Sequence, residues 1–523
     1  MAAVESGQAL SRRDILLAFA GLLLGLLLVA LDSVTVANAL PAMIGELQGL
    51  SLLSWVIVAN LLGATVGVPL FGKLSDMYGR RPLLVVAVVF FVAGSLVCGL
   101  AQSMETLIVG RAVQGVGGGG ITAMAITIVG DMVPPRSRAR YQGYLGAEYA
   151  VATIVGPFVG GFLTDTLSWR WVFLINLPLG LLALAVVALV LKLPPQRVRR
   201  VIDWPGIALL LSGLTCLLLM ASWGGQQYPW TSGTVLGLGF AGVVLLAAFV
   251  AVERRAPEPI VPLVLFTGGV TRVALVLILL VGVVNFTAVS YLPTFLQIGL
   301  GVSATNSGVL LFPLMGGLIV TSIVSGHVIS RTGRYRWWPI GGAVGITLGL
   351  FLLSRMDADT SPALAAVYMG VVGLGVGCMA SLTVIVQNSV PRADLGSATA
   401  SAGLFRALGG AAGVAVFGAV FTSRLQSSLT EYVPAGALPP GVDIGFLQRS
   451  PEALKALPPQ VQEGIAKTYA HAITTTFFVA VAIGLACLVA AFLLRETPIT
   501  DPADPTDTTD PSEDHPEKKE TVE

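Results

Sequence analysis

Gly72-Lys-Leu-Ser-Asp-Met-Tyr-Gly-Arg-Arg-Pro-Leu83 sets a dozen mostly polar residues between two long apolar runs. Gly72 and Gly79 permit a tight backbone, and Lys73, Arg80 and Arg81 place three positive charges where two apolar helices connect. Asp76 is then a counter-ion inside a basic turn. Such a turn is expected at the cytoplasmic ends of helices that cross a membrane, because cytoplasmic loops collect Lys and Arg.

The rest of the chain agrees. Of its 523 residues, 55% are hydrophobic and only 11% charged, whereas soluble domains carry about a quarter charged residues. Mean hydropathy is +0.84. These values predict an all-α polytopic membrane protein. The net charge of +1 comes with no basic arm and no zinc spacing, so nucleic acid is not an expected partner. Cys98, Cys216, Cys378 and Cys487 all fall in apolar runs away from His, as small core residues do; His327 and His471 lack metal-ligand neighbours, and no metal site is expected. Arg12-Arg13 before an apolar run mimics a secretion signal, but the run continues through Asp32 without a convincing cleavage site and reads as a retained first span.

A spanning helix needs about 20 mostly apolar residues. That criterion places spans near 15–37, 54–74, 82–101, 105–129, 143–164, 171–191, 204–223, 234–252, 270–297, 306–329, 336–354, 363–388, 398–422 and 470–494, fourteen in all. The alternate connections holding Arg12-Arg13, Arg80-Arg81, Arg136 to Arg140, Arg197 to Arg200, Arg254-Arg255, Arg331 to Arg336 and Arg392 would be cytoplasmic, with both termini on that side. Gly326-His-Val-Ile-Ser-Arg-Thr-Gly-Arg334 repeats the spacing of Gly72 to Arg80 without the Asp, and Val133-Pro-Pro-Arg136 is echoed by Val390-Pro-Arg392. The chain therefore divides into a terminus 1–14, a six-helix half 15–200, an inserted hairpin 201–255 and a second six-helix half 256–495. Between the last two spans, segment 425–469 faces outside as a lid or a spacer; Ser450-Pro-Glu predicts a short helix within it. The tail 496–523, rich in Asp, Pro and Thr, is expected to be disordered.

Few charges lie at membrane depth, and each is a functional candidate because charge in hydrocarbon is costly. Asp32 sits in Leu31-Asp-Ser-Val-Thr-Val-Ala-Asn-Ala-Leu-Pro41 of helix 1. Burial disfavours a carboxylate's charged form, which suits reversible protonation. The alternative is an ion pair with Arg111, in Gly110-Arg-Ala-Val-Gln-Gly115 of helix 4, which lies at a similar depth from the outer face. Glu148, in Gly146-Ala-Glu-Tyr of helix 5, is either a second protonation or cation-binding site, or the partner of a cytoplasmic Arg or of Arg406. Arg406 itself neutralises Glu148 or attracts an anionic group. Asp131 reads as the partner of Arg80 or Arg81 in an inner gate. Gly115-Val-Gly-Gly-Gly-Gly120 lacks a following Gly-Lys-Ser/Thr and reads as a helix-packing surface, not a phosphate loop. Asn38, Tyr149, Asn285, Phe286, Tyr291, Phe295, Gln387, Asn388 and Phe405 are candidates for a substrate cavity.

The Gly72 to Leu83 stretch resembles the signature loop between the second and third helices of the major facilitator superfamily, G-x-L-x-D-x-x-G-R-R/K-x-L. Leu31 to Pro41 resembles the helix 1 signature L-D-x-T-x-V-x-x-A-L-P of its fourteen-span drug:proton antiporters, with Val34 where Thr is usual. Arg111 to Gly117 is similar to that family's helix 4 motif R-x-x-Q-G-x-G, whose Arg is linked to proton transfer. Gly156-Pro157-x-x-Gly160-Gly161 resembles the helix 5 antiporter motif found in exporters; its Pro bends the helix and its glycines are expected to pack it against its symmetry mate.

The resemblance implies two pseudo-symmetric six-helix bundles plus two extra helices. It also implies efflux of lipophilic or cationic drug-like compounds by alternating access, driven by a proton gradient without a cofactor. Gly72, Asp76, Gly79, Arg80, Arg81, Asp131, Gly156, Pro157, Gly160 and Gly161 would gate the cycle. Protons, membrane lipids and small molecules are the expected partners of a monomer in a bacterial cytoplasmic membrane. Export of a native lipid, siderophore or antibiotic is the rival within transport. An embedded enzyme would need an intramembrane His-Asp or Ser-His set that three His residues do not supply.

Overall fold

The computed structural model describes residues 12–47, 52–190, 203–225, 227–256, 264–302, 304–391, 394–433 and 457–496. Its long helices are α1 (Arg12–Leu47), α2 (Leu53–Tyr78), α3 (Arg80–Gly99), α4 (Met104–Met132), α5 (Pro135–Thr166), α6 (Asn176–Val190), α7 (Trp204–Trp223) and α8 (Gly233–Glu253). They are followed by α9 (Gly269–Thr294), α10 (Phe312–Thr332), α11 (Trp337–Ser354), α12 (Pro362–Cys378), α13 (Leu395–Tyr432) and α14 (Pro459–Leu493). Among the described residues, 12 helices are long and apolar enough to cross a membrane, and two shorter apolar stretches, Trp171–Val186 and Gly269–Asn285, occupy the sixth and ninth expected positions.

Local chemistry fixes many helix starts. Ser103, Asp203, Ser232 and Ser361 cap α4, α7, α8 and α12 by accepting from a first-turn amide, and Pro occupies the first turn of α5, α7, α12 and α14, where its missing N–H costs nothing. The basic stretch departs from its sequence reading as a long turn. Helix α2 continues to Tyr78, and the connection shrinks to Gly79 at φ 93°. Lys73, Ser75 and Asp76 stay helical with their side chains buried against neighbouring helices. Helix α13 likewise runs past the expected end at 422 to Tyr432, and α14 begins at Pro459. The Ser450 helix and the acidic tail fall outside the described residues.

The packing is repeated. In the first half α2 and α3 pack on α4, α1 packs on α5 and α6, and α3 packs on α6. In the second half α10 and α11 pack on α12, α9 packs on α13 and α14, and α11 packs on α14. Distinct apolar clusters fill the two halves, and the one in the second half also takes in Ala139 and Ala150 of α5. They meet along α2 with α13 and along α5 with α10. The repeat extends to single glycines. A Cβ on Gly326 of α10 would lie 2.5 Å from the Ala139 carbonyl of α5, and one on Gly396 of α13 would lie 2.5 Å from the Gly72 carbonyl of α2. A Cβ on Gly146 would meet the Ser322 side chain at 2.8 Å and one on Gly403 the Val68 side chain at 2.9 Å, so both crossings leave little room for a larger residue at these places. The α7–α8 hairpin leans on α2 and α13. Apolar side chains such as Phe158, Phe162, Phe240 and Phe492 face outward, as lipid contact requires.

Candidate functional site

At the basic end, α2 is joined to the opposite half through one carboxylate. Asp76 accepts from the Gly396 amide at 3.2 Å, the Ser397 amide at 3.0 Å and the Ser397 hydroxyl at 2.9 Å. A carboxylate at the first amides of α13 meets the positive end of that helix. Arg80 bridges Asp76 and Asp131, donating to Asp131 Oδ2 at 2.8 Å and to Ser75 Oγ at 2.6 Å. Of the two arginines considered for Asp131, Arg80 makes the pair. Gly72 leaves room for this contact, since a Cβ there would sit 2.8 Å from the Ala400 Cβ. Further bonds across the halves lie at the same end: Arg138 to Asn388 at 2.6 Å, Ser322 to the Gly143 carbonyl at 3.1 Å, and Tyr144 to His327 at 3.2 Å. Gln387 is fully buried there, donating to Thr399 at 2.9 Å and to the Ile126 carbonyl at 3.4 Å. Gln387 and Asn388, read from sequence as cavity residues, are thus part of the closure between halves.

Asp32 and Arg111 meet inside the first half at 2.6 Å, both at most 3% exposed. The similar depths read from the sequence allow this pair, which stands there as the alternative to a protonation site. Asp32 also accepts from Gln114 Nε2 and Asn176 Nδ2, each at 2.8 Å. Arg111 donates to Gln114 Oε1 at 2.7 Å and to the Val56 carbonyl at 3.3 Å, and Ser95 accepts from Gln114 at 2.7 Å. Gln114 is legible in the sequence as the Gln of R-x-x-Q, whereas Ser95 and Asn176 carry no signal there. The glycines of α4 make the network compact: Cβ atoms at Gly115, Gly117 and Gly119 would fall 2.2 to 2.3 Å from backbone atoms of α2 and α3. That is the packing surface expected of this run.

Between the halves lies a cavity of about 350 Å³ lined by α1, α4, α5, α9, α10, α12 and α13. Its charged lining residues are Glu148 and Arg406, with Ser33, Gln142, Asn285 and Thr383 among the polar ones. Glu148 Oε1 is buried and without a hydrogen-bond partner among the described residues, and no ion pair joins it to Arg406 or to another Arg there. Arg406 is exposed to the cavity and reaches Thr383 Oγ1 at 3.5 Å. Asp32 does not line the cavity, although the next residue, Ser33, does.

The aromatic candidates divide. Tyr149 lines the cavity, whereas Phe295 is buried in the second half, Tyr291 packs on Phe421 with ring centroids 5.2 Å apart, and Phe405 packs on Phe266 at 6.0 Å. The side chains of Asn38, Pro157 and Phe286 lie outside the described residues. The helix 5 glycines face a different neighbour from the one expected. A Cβ on Gly156 would meet Val34 at 2.6 Å and one on Gly160 would meet Thr35 at 3.0 Å, both on α1 of the same half, because that face of α5 turns away from the second half. Gly161 opens onto free space.

The family model described as Major Facilitator Superfamily matches residues 22–414. An uncharacterised MFS-type transporter of Mycobacterium tuberculosis is 40% identical over 492 residues, spanning 94% of this chain and 70% of that one. Multidrug transporter protein MdtP of Bacillus subtilis is 37% identical over 422 residues, 80% of this chain and 77% of its own. Among solved structures, the human organic anion transporter MFSD10 superposes with a TM-score of 0.59 at 15% identity, covering 92% of this chain and 99% of that one. The family model spans most of a chain built of two packed six-helix halves with a charged cavity between them, and the chain belongs to the major facilitator superfamily of transporters.

Proposed function

We propose that this protein is a proton-coupled efflux antiporter of the fourteen-span drug:proton branch, exporting lipophilic and cationic drug-like compounds by alternating access. The observation that carries the reading is the unpaired Glu148 carboxylate on the wall of the cavity between the halves. An acid there is within reach of both a proton and a cationic cargo, and competition of the two for one carboxylate couples their opposite movements. The relatives named for multidrug transport support the choice of cargo.

The basic end faces the cytoplasm with both termini, and the bilayer is a bacterial cytoplasmic membrane. With the latch around Asp76 engaged, the protein is closed toward the cytoplasm. A proton reaching Glu148 from outside neutralises it, releases the cargo and favours the inward-open state. Asp32 and Arg111 form a second element: α1 cannot move against α4 without breaking their pair, so a proton on Asp32 eases that movement. The driving force is the proton gradient, no cofactor is needed, and one chain suffices.

The test is proton release from acid-loaded proteoliposomes on addition of ethidium. The wild type should discharge protons in step with ethidium uptake, and Glu148→Gln should abolish the discharge. A wild-type protein that moves ethidium with no proton movement would refute antiport, and coupled uptake persisting in Asp32→Asn would remove Asp32 from the scheme.

A further inference from the structure

The cavity wall carries a guanidinium as well as a carboxylate, and export of simple cations gives the guanidinium no task. Arg406 projects into the space between the halves from α13, with Thr383 its hydrogen-bond partner and no acidic side chain within ion-pair distance among the described residues. Glu148 projects into the same space from α5. The first half thus supplies the negative group and the second half the positive one. Neither charge is cancelled by a neighbour, in contrast to Asp32, Asp76, Arg80 and Arg111, each of which is paired.

While the cavity is open to water Arg406 is hydrated, whereas Glu148 already keeps one carboxylate oxygen buried. When the halves close over a cargo that water is displaced, and each charge then needs an opposite partner or suffers a heavy desolvation penalty. A cargo with only a cationic group would leave Arg406 stranded. A purely anionic cargo would bind best with Glu148 protonated, so that proton and cargo would travel together, which opposes antiport. An amphoteric cargo satisfies both conditions, because its ammonium group competes with the proton at Glu148 while its anionic group stays on Arg406 and the Thr383 hydroxyl.

Resting on the antiport reading above, we infer that the preferred substrates are amphoteric amphipaths, carrying a cationic amine and an anionic group such as a carboxylate on an apolar body, with Arg406 and Thr383 as the anion subsite.

The test is equilibrium binding to the full-length protein in neutral detergent, read from the fluorescence of four probes sharing one apolar body: dansyl amide, dansyl cadaverine, dansyl glycine and Nε-dansyl-lysine. In the wild type the amphoteric dansyl-lysine should bind about ten-fold more tightly than cationic dansyl cadaverine, the increment of one charge-assisted hydrogen-bonded contact. Arg406→Gln should erase that ratio while dansyl cadaverine still binds, somewhat more tightly because a like charge has left the cavity, which also reports that the variant is folded, and Arg406→Lys should retain part of the ratio. Thr383→Val should reduce the ratio without changing cadaverine binding. Equal affinities for the two probes in the wild type, or an unchanged ratio in Arg406→Gln, would overturn the inference. Because binding is read without transport, a preference for dansyl-lysine in a protein that moves no protons would leave the subsite standing and refute antiport alone.

Discussion

The Asp76 carboxylate of α2 and Ser397 at the start of α13 are joined by two hydrogen bonds, 3.0 Å to the amide and 2.9 Å to the hydroxyl, across the seam between the halves. Arg80 holds the same carboxylate from the other side and is itself anchored on Asp131. The second half has Ser330 where the repeat would place an Asp, so this latch is built on one side of the pseudo-symmetry.

Asp76→Ala should therefore loosen closure at the basic end specifically. Losing charge-assisted bonds to buried donors costs on the order of 1–3 kcal/mol, enough to move a two-state equilibrium about five-fold or more. Spin labels placed on the basic ends of α2 and α13 should report a larger population of separated halves, with transport falling roughly in proportion. Unchanged distances and full transport in this variant would show that the latch is not a gate.

Glycine positions give a sharper comparison because they separate close packing from mere presence in a motif. A methyl on Gly396 would sit 2.5 Å from both Asp76 Oδ1 and the Gly72 carbonyl, and one on Gly326 would sit 2.5 Å from the Ala139 carbonyl, whereas one on Gly161 meets nothing within 4 Å. Gly396→Ala and Gly326→Ala should each force the halves apart at a cost of about 1–3 kcal/mol, with transport reduced severalfold at normal expression. Gly161→Ala should transport normally. The comparison is read by uptake assays on matched amounts of purified protein, and a Gly161→Ala defect equal to the other two would contradict the packing argument.

The sequence made the fold legible because membrane crossing imposes long apolar runs and puts charge at their ends, and both signals are local. The pairing of Asp32 with Arg111 was legible for the same reason: a fixed rise per residue sets depth. What periodicity could not give was rotation about each helix axis. Tyr149 and Asn285 line the cavity while Tyr291, Phe295 and Phe405 pack elsewhere, although all lie in apolar runs read as spans. The same limit applied to Gly156 and Gly160, whose neighbour turned out to be α1. Rotation is decided by packing between residues far apart in sequence.

Glu46, at the end of α1 beyond its apolar span, offers a pH test away from the cavity. Its carboxylate accepts from Arg170 at 2.5 Å and from the Trp169 indole at 2.7 Å, and these bonds, Arg170's first, hold its pKa below the ordinary carboxylate value. A carboxylate whose folded pKa is depressed adds stability above its unfolded pKa and loses it as pH falls through the folded one. Glu46→Gln should thus melt slightly below the wild type at pH 7, and the gap should close as the pH drops below about 4. Glu46 is exposed, so the difference should be small. Thermal unfolding in detergent across that range measures it, and a gap that widens in acid would reverse the assignment.

The Asp32 network decides whether an enclosed ion pair takes part in coupling or only in folding. Removing one partner of a buried pair leaves the other uncompensated, at a cost of about 3–5 kcal/mol, while removing both costs less than the two losses added together. Asp32→Asn and Arg111→Gln should each lower the melting temperature clearly, and the double variant should recover much of it. Coupling should not recover with stability. If the pair is the element that α1 breaks when it moves, the double variant folds but discharges no protons on addition of ethidium. A double variant that regains both stability and proton discharge would assign Asp32 and Arg111 to the scaffold, and leave Glu148 as the acid that titrates during transport.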